Sequence, residues 1–127
     1  MEKDALNRLA DAARSIHIPL GENELDLFDR YHDELILWNA HMNLTALRSS
    51  PDIIIKHFID SLTVIPFLPN PPIVLLDIGT GAGFPGIPLK IVLRDLRIYL
   101  MESSRKKISF LRQIILKLSL EDTVALH

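Results

Sequence analysis

Val74-Leu75-Leu76-Asp77-Ile78-Gly79-Thr80-Gly81-Ala82-Gly83-Phe84-Pro85-Gly86-Ile87-Pro88-Leu89 decides the fold. Residues 73–78 are a short run of β-branched residues and leucine around Asp77, the pattern of a strand buried on both faces of a parallel sheet. Gly79, Gly81 and Gly83 then remove side chains where the backbone must turn sharply, and let atoms of another molecule come close. Residues 85–93 resume with a helical apolar spacing. The stretch reads as strand, tight turn and helix, with the unpaired N–H groups of the helix start facing the crevice. A small cofactor is the expected occupant.

The register of the glycines separates the families that use such a turn. A P-loop needs Gly-x-x-x-x-Gly-Lys and then Ser or Thr; Gly81 and Gly86 have the spacing, but Ile87 and Pro88 occupy the Lys and Ser/Thr positions. Gly-x-Gly-x-x-Gly begun at Gly79 puts Phe84 at the third glycine. Begun at Gly81 it puts Pro85 inside the turn and leaves Gly79 in the strand end. Asp-x-Gly-x-Gly-x-Gly, from Asp77 to Gly83, fits without adjustment. It resembles the first motif of S-adenosylmethionine-dependent methyltransferases with a Rossmann-like sheet. A nicotinamide or flavin site is the alternative.

Residues 97–101 read as a second strand, and Glu102 stands at its carboxyl end, 19 positions beyond Gly83. A carboxylate there accepts hydrogen bonds from both vicinal hydroxyls of a ribose. The competing role is an exposed residue beside the start of the next helix, with Ser103 or Ser104 as N-cap.

The rest of the chain sets the frame. Its 127 residues suit one hydrophobic core, and zero cysteines exclude disulfides, thiolate metal sites and a cysteine nucleophile. No apolar run approaches ~20 residues. The start, Met1-Glu2-Lys3-Asp4, lacks the basic and then apolar order of a secretory signal, so a cytoplasmic location is expected. A net charge of −2 does not mark a nucleic-acid-binding protein, but Arg105, Lys106, Lys107, Arg112 and Lys117 fall in one helical stretch. That set is either the solvated face of an amphipathic helix or part of a footprint for RNA phosphates.

Before the glycines the chain reads as helical. Residues 4–15 carry Leu6, Leu9, Ala12 and Ala13 on one stripe, ended by Pro19 and Gly21. A second helix is expected from Asn23 as N-cap to about Trp38, with Leu25, Phe28 and Leu35 on its apolar side. Asn39 and Asn43 then suggest a loop. Ser50 and Pro51 open a third helix over residues 51–67, with Ile53, Ile54, Phe58, Leu62 and Ile65 as core candidates and His57 as a structural residue. Residues 69–72 form a stiff proline connector, which places a boundary between a helical region, 1–70, and the first part of a sheet, 71–127.

Together these segments resemble one family. Trp38-Asn39, Asn43-Leu44-Thr45, His57, Asp60-Ser61-Leu62, residues 77–88 with their Gly-Phe-Pro-Gly extension, Glu102-Ser103, Lys106-Lys107 and Phe110-Leu111 are similar to the bacterial RsmG family, also called glucose-inhibited division protein B. The resemblance implies a Rossmann-like α/β methyltransferase fold preceded by helices, with S-adenosylmethionine as cofactor. The implied partner is 16S ribosomal RNA in the small subunit, methylated at N7 of one guanine. It places Gly79, Phe84, Glu102 and Ser103 at the cofactor pocket, with Asp77, Gly81 and Gly83 shaping it.

The family's sheet has seven strands, whereas residues 74–78 and 97–101 and a third strand over 123–126 are all that this chain offers. The family's C-terminal half therefore has no counterpart in it. The first strand is expected to be central in a three-layer unit and parallel to the second. Guanine N7 carries an in-plane lone pair and no proton, so methyl transfer needs no general base, and neither His57 nor Asp60 is assigned proton transfer.

Overall fold

The computed structural model describes residues 1–44, 50–69 and 74–127. Three helices come first: α1 (Lys3–Ser15), α2 (Glu22–Met42) and α3 (Pro51–Leu62). A 3-10 turn over Ile65–Phe67 follows, and then β1 (Val74–Ile78), α4 (Gly86–Val92), β2 (Arg97–Met101), α5 (Arg105–Lys117) and β3 (Thr123–Leu126). Thr45, Ile73 and the prolines of the expected connector, Pro71 and Pro72, lie outside the described residues.

The helix boundaries depart from the sequence reading for local reasons. α2 begins one turn position before Asn23, because the Glu24 carboxylate reaches back to accept from the Gly21 amide at 3.2 Å and caps the helix there. It runs through Asn39 to Met42 and stops at Asn43, whose left-handed backbone (φ 47°) suits asparagine. Trp38, packed edge-on against Phe110 at 5.6 Å, anchors the last turns that a loop was expected to occupy. α3 ends at Leu62 and not near residue 67, since Pro66 has no N–H to continue an α-helical ladder; Phe67 is exposed.

The sheet is parallel throughout, in the order β1-β2-β3, with Asp77 beside Leu100 and Leu100 beside Ala125. Among the described residues β2 is thus the central strand and β1 an edge, a correction to the expected central β1. The period-2 alternation sorts the side chains onto two faces. Asp77, Ile98, Leu100, Thr123 and Ala125 are buried. Val74, Leu76 and Ile78 are 55%, 50% and 74% exposed, and Val124 and Leu126 project with them. Helices cover one face only, so the unit has two layers among the described residues, and β1 is buried on one side where burial on both was expected.

Under the covered face lies one contiguous core that joins both parts of the chain: Leu9 of α1, Phe28, Tyr31 and Leu35 of α2, Phe58 and Leu62 of α3, Ile87 and Leu89 of α4, and Phe110 and Ile114 of α5. At the amino end of the strands the buried Lys90 ammonium donates to the carbonyls of Arg94 and Leu96, each at 2.6 Å, satisfying acceptors where α4 turns into β2. None of the described helices is long and apolar enough to cross a membrane.

Candidate functional site

The site is built at the carboxyl end of β1 and β2. The end of β2 organises the turn after β1: the amides of Gly79 and Thr80 both donate to the Met101 carbonyl at 3.0 Å, and the Gly81 amide donates to Glu102 Oε1 at 3.0 Å. The amides of Gly83 and Phe84 close the turn onto the Thr80 carbonyl, each at 3.0 Å. Five backbone donors, the amides of Gly79, Thr80, Gly81, Gly83 and Phe84, are thereby fixed in a loop of seven residues with no regular secondary structure.

The glycines divide into two kinds. A Cβ on Gly79 or Gly81 would meet no atom within 4 Å, yet both have left-handed backbones (φ 70° and 62°). The turn therefore needs glycine there for its backbone, and it leaves open ground on that side. Gly86 instead makes room inside the protein, and Gly83 (φ 106°) answers to both needs. A Cβ on Gly83 would lie 2.5 Å from Ile87 and 2.8 Å from the Tyr31 hydroxyl, and one on Gly86 would strike Leu100, Ile98 and Asp77. Gly86 lets α4 lie directly on β2.

Asp77 points beneath the turn. Its Oδ2 accepts from the Thr80 hydroxyl at 2.6 Å and from the Gly86 amide at 3.0 Å, tying strand, turn and helix together. Burial pushes its carboxyl above the ordinary value, against the pull of the Thr80 and Gly86 donors. The helix start is spent in the same way: the Gly86 amide goes to Asp77 and the Ile87 amide to the Gly83 carbonyl at 2.7 Å. The expectation that these N–H groups face the crevice unpaired is corrected.

Glu102 is half-buried and already braced. Beside the Gly81 contact, its Oε2 accepts from the Ser104 amide at 2.8 Å and lies 3.5 Å from the Ser103 hydroxyl. Desolvation pushes its carboxyl up, but the Ser104 and Gly81 amides and the Lys107 charge outweigh it and hold the group below its ordinary value. A carboxylate has about four lone-pair sites, so acceptor capacity is left for a ligand. Ser103 is exposed and its carbonyl stands 2.9 Å from His127 Nε2, while Ser104 is the N-cap of α5. Phe84 packs beside Tyr31, Phe58 and the exposed His57, with ring centres 5.7, 6.1 and 5.7 Å apart.

The structure thus joins Gly81 and Ser103 to Glu102, leaves open space on the Cβ side of Gly79 and Gly81, and ties Asp77 to Thr80 and Gly86 beneath the turn, with Gly83 and Phe84 packed towards the core. Sequence reasoning missed Tyr31, whose hydroxyl donates to the Ala82 carbonyl at 2.6 Å. The signal was present: Tyr31 falls between Phe28 and Leu35 on the same helical stripe. On α5, Arg105, Lys106 and Arg112 are exposed without an ion pair among the described residues, whereas Lys117 is paired with Glu34 at 2.9 Å.

The family model described as rRNA small subunit methyltransferase G matches residues 24–127. A curated protein of Syntrophus aciditrophicus called ribosomal RNA small subunit methyltransferase G is 49% identical over 118 residues, which is 92% of this chain and 49% of the relative. Proteins of the same name from Acetivibrio thermocellus and Desulforamulus reducens are 42% and 45% identical, over 94% of this chain and 49% and 50% of their own lengths. The chain spans about half the length of these relatives. A parallel sheet with its glycine turn braced by the next strand, and a family match over residues 24–127, establish that the chain belongs to the small-subunit rRNA methyltransferase G family.

Proposed function

We propose that this chain forms the part of an S-adenosylmethionine-dependent methyltransferase that holds the ribose and methionine portions of the cofactor, in an enzyme that methylates guanine N7 of 16S ribosomal RNA in the small subunit. The observation that carries the reading is the Gly81–Glu102 brace beside the open backbone of Gly79 and Gly81. A ligand lying on the two glycines would have its vicinal hydroxyls within reach of the free lone pairs of Glu102. Gly79, Gly81, Glu102 and Ser103 are the residues proposed to touch it, with Phe84 at the wall and Asp77 and Gly83 fixing the turn.

Bound there, S-adenosylmethionine supplies a methyl group on a sulfonium centre. Transfer of that methyl to the in-plane lone pair of guanine N7, with the S–CH3 bond breaking to leave S-adenosylhomocysteine, would need no proton removed, so the residues would need only to hold donor and acceptor in line. His57, exposed and tilted against the Phe84 ring, is accordingly given no proton-transfer role. The exposed Arg105, Lys106 and Arg112 of α5, the helix that follows Glu102, suit RNA phosphates.

Calorimetric titration of the purified chain with S-adenosylhomocysteine and, separately, NAD tests the reading. Binding of the first and not the second is expected; the reverse would make the turn a dinucleotide site. The chain alone is expected to transfer no methyl group to 16S RNA, since it spans half the length of its relatives.

A further inference from the structure

Tyr31 stands on α2, 51 residues before the turn it contacts. Its side chain is fully buried, its ring lies among those of Phe58, Phe84 and Phe110 at 5.3, 5.7 and 6.5 Å, and its hydroxyl donates to the Ala82 carbonyl at 2.6 Å. The other end of that same peptide group, the Gly83 N–H, donates to the Thr80 carbonyl at 3.0 Å. One peptide plane in the middle of the glycine turn is therefore gripped at both ends. The absence of a Cβ on Gly83 is what admits the hydroxyl, since that atom would sit 2.8 Å from it.

We propose that Tyr31 is a positioning residue of the cofactor turn: by drawing the Ala82 carbonyl into the core, the N-terminal helices set the backbone on which the ligand lies. This rests on the cofactor reading above. The carbonyl is a buried acceptor, and a buried acceptor without a donor turns towards water. Rotation of the Ala82–Gly83 peptide would pull the Gly83 amide from Thr80 and displace Gly81, which Glu102 holds from the other side. Burial also keeps the phenol protonated well above its ordinary range, so it remains a donor at any working pH.

Tyr31→Phe removes the hydroxyl and keeps the ring. Ile114→Val, in the core under α5 and away from the turn, is a comparison of similar global stability loss. In the 127-residue chain, the tyrosine variant is expected to weaken S-adenosylhomocysteine binding about tenfold and to speed amide hydrogen exchange at Gly83 and Phe84 by about the same factor. The isoleucine variant should change neither beyond its global effect. Wild-type affinity and unchanged Gly83 exchange in Tyr31→Phe would overturn the proposal. If the wild-type chain binds no S-adenosylhomocysteine, the cofactor reading fails, and the exchange rates at Gly83 still decide whether Tyr31 holds the turn.

Discussion

The Gly81 N–H donates to Glu102 Oε1 across 3.0 Å, so the acid that ends β2 holds the turn that ends β1. Glu102 thereby has a structural task as well as a proposed ligand task. Glu102→Gln keeps the shape but presents an NH2 group to either the Gly81 or the Ser104 amide, and one of these bonds is lost. Affinity for S-adenosylhomocysteine should fall by about 1.5–3 kcal/mol, roughly 10- to 150-fold. Glu121→Gln, an exposed acid after α5, serves as the control in the same calorimetric titration. Equal affinity of Glu102→Gln and wild type would leave Glu102 with the structural task alone.

Acid pH should act on the two site carboxylates with opposite sign. Glu102 is held below its ordinary value, so its stabilising contribution is present above about pH 4.5 and is lost as pH falls through its folded value. Asp77 is held above its ordinary value, so its contribution is full below about pH 3.8 and is lost as pH rises through its folded value. Urea midpoints measured from about pH 3 to 7 are expected to fall towards acid more steeply for wild type than for Glu102→Gln. Relative to Asp77→Asn, wild type should gain stability as the solution is acidified.

The two kinds of glycine predict two kinds of damage. Gly86→Ala forces a methyl into Leu100, Ile98 and Asp77 and should destabilise the fold by about 1–3 kcal/mol, read as a lower thermal midpoint. Gly81→Ala meets open space but a strained backbone, at a cost of roughly 1–2 kcal/mol, and places its methyl on the side proposed for the ligand. It should lose cofactor affinity out of proportion to its loss of stability.

Lys90→Met removes the ammonium that serves the Arg94 and Leu96 carbonyls at the far end of the strands. Leaving the buried acceptor unsatisfied should cost about 1–3 kcal/mol in denaturant unfolding. Cofactor affinity, normalised to the folded fraction, is expected to be unchanged.

The exposed face of the sheet and the edge of β1, unpaired among the described residues, predict self-association of the chain on its own. Leu76 and Val124 lie in one register row across Tyr99. Replacing both with lysine should shift the sedimentation profile towards monomer while leaving the helical signal in circular dichroism intact. An unchanged profile would place the association elsewhere.

The order of elements from α1 to β3, the strand-turn-helix unit and its glycine turn were legible in the residues alone. Each rests on a local cause: β-branched residues in a run, proline and glycine at fixed offsets, and apolar spacing that switches between two periods. The family match over residues 24–127 agrees with the motif that those causes marked. Three features belonged to the tertiary structure. The end of α2 depended on Trp38 finding Phe110, a contact across 72 residues of chain. The two faces of β1 depended on where helices land, since leucine and valine read alike whether covered or bare. The grip of Tyr31 on Ala82 depended on a long-range hydrogen bond into a loop, and no pattern of neighbouring residues records which backbone carbonyl a buried hydroxyl will meet.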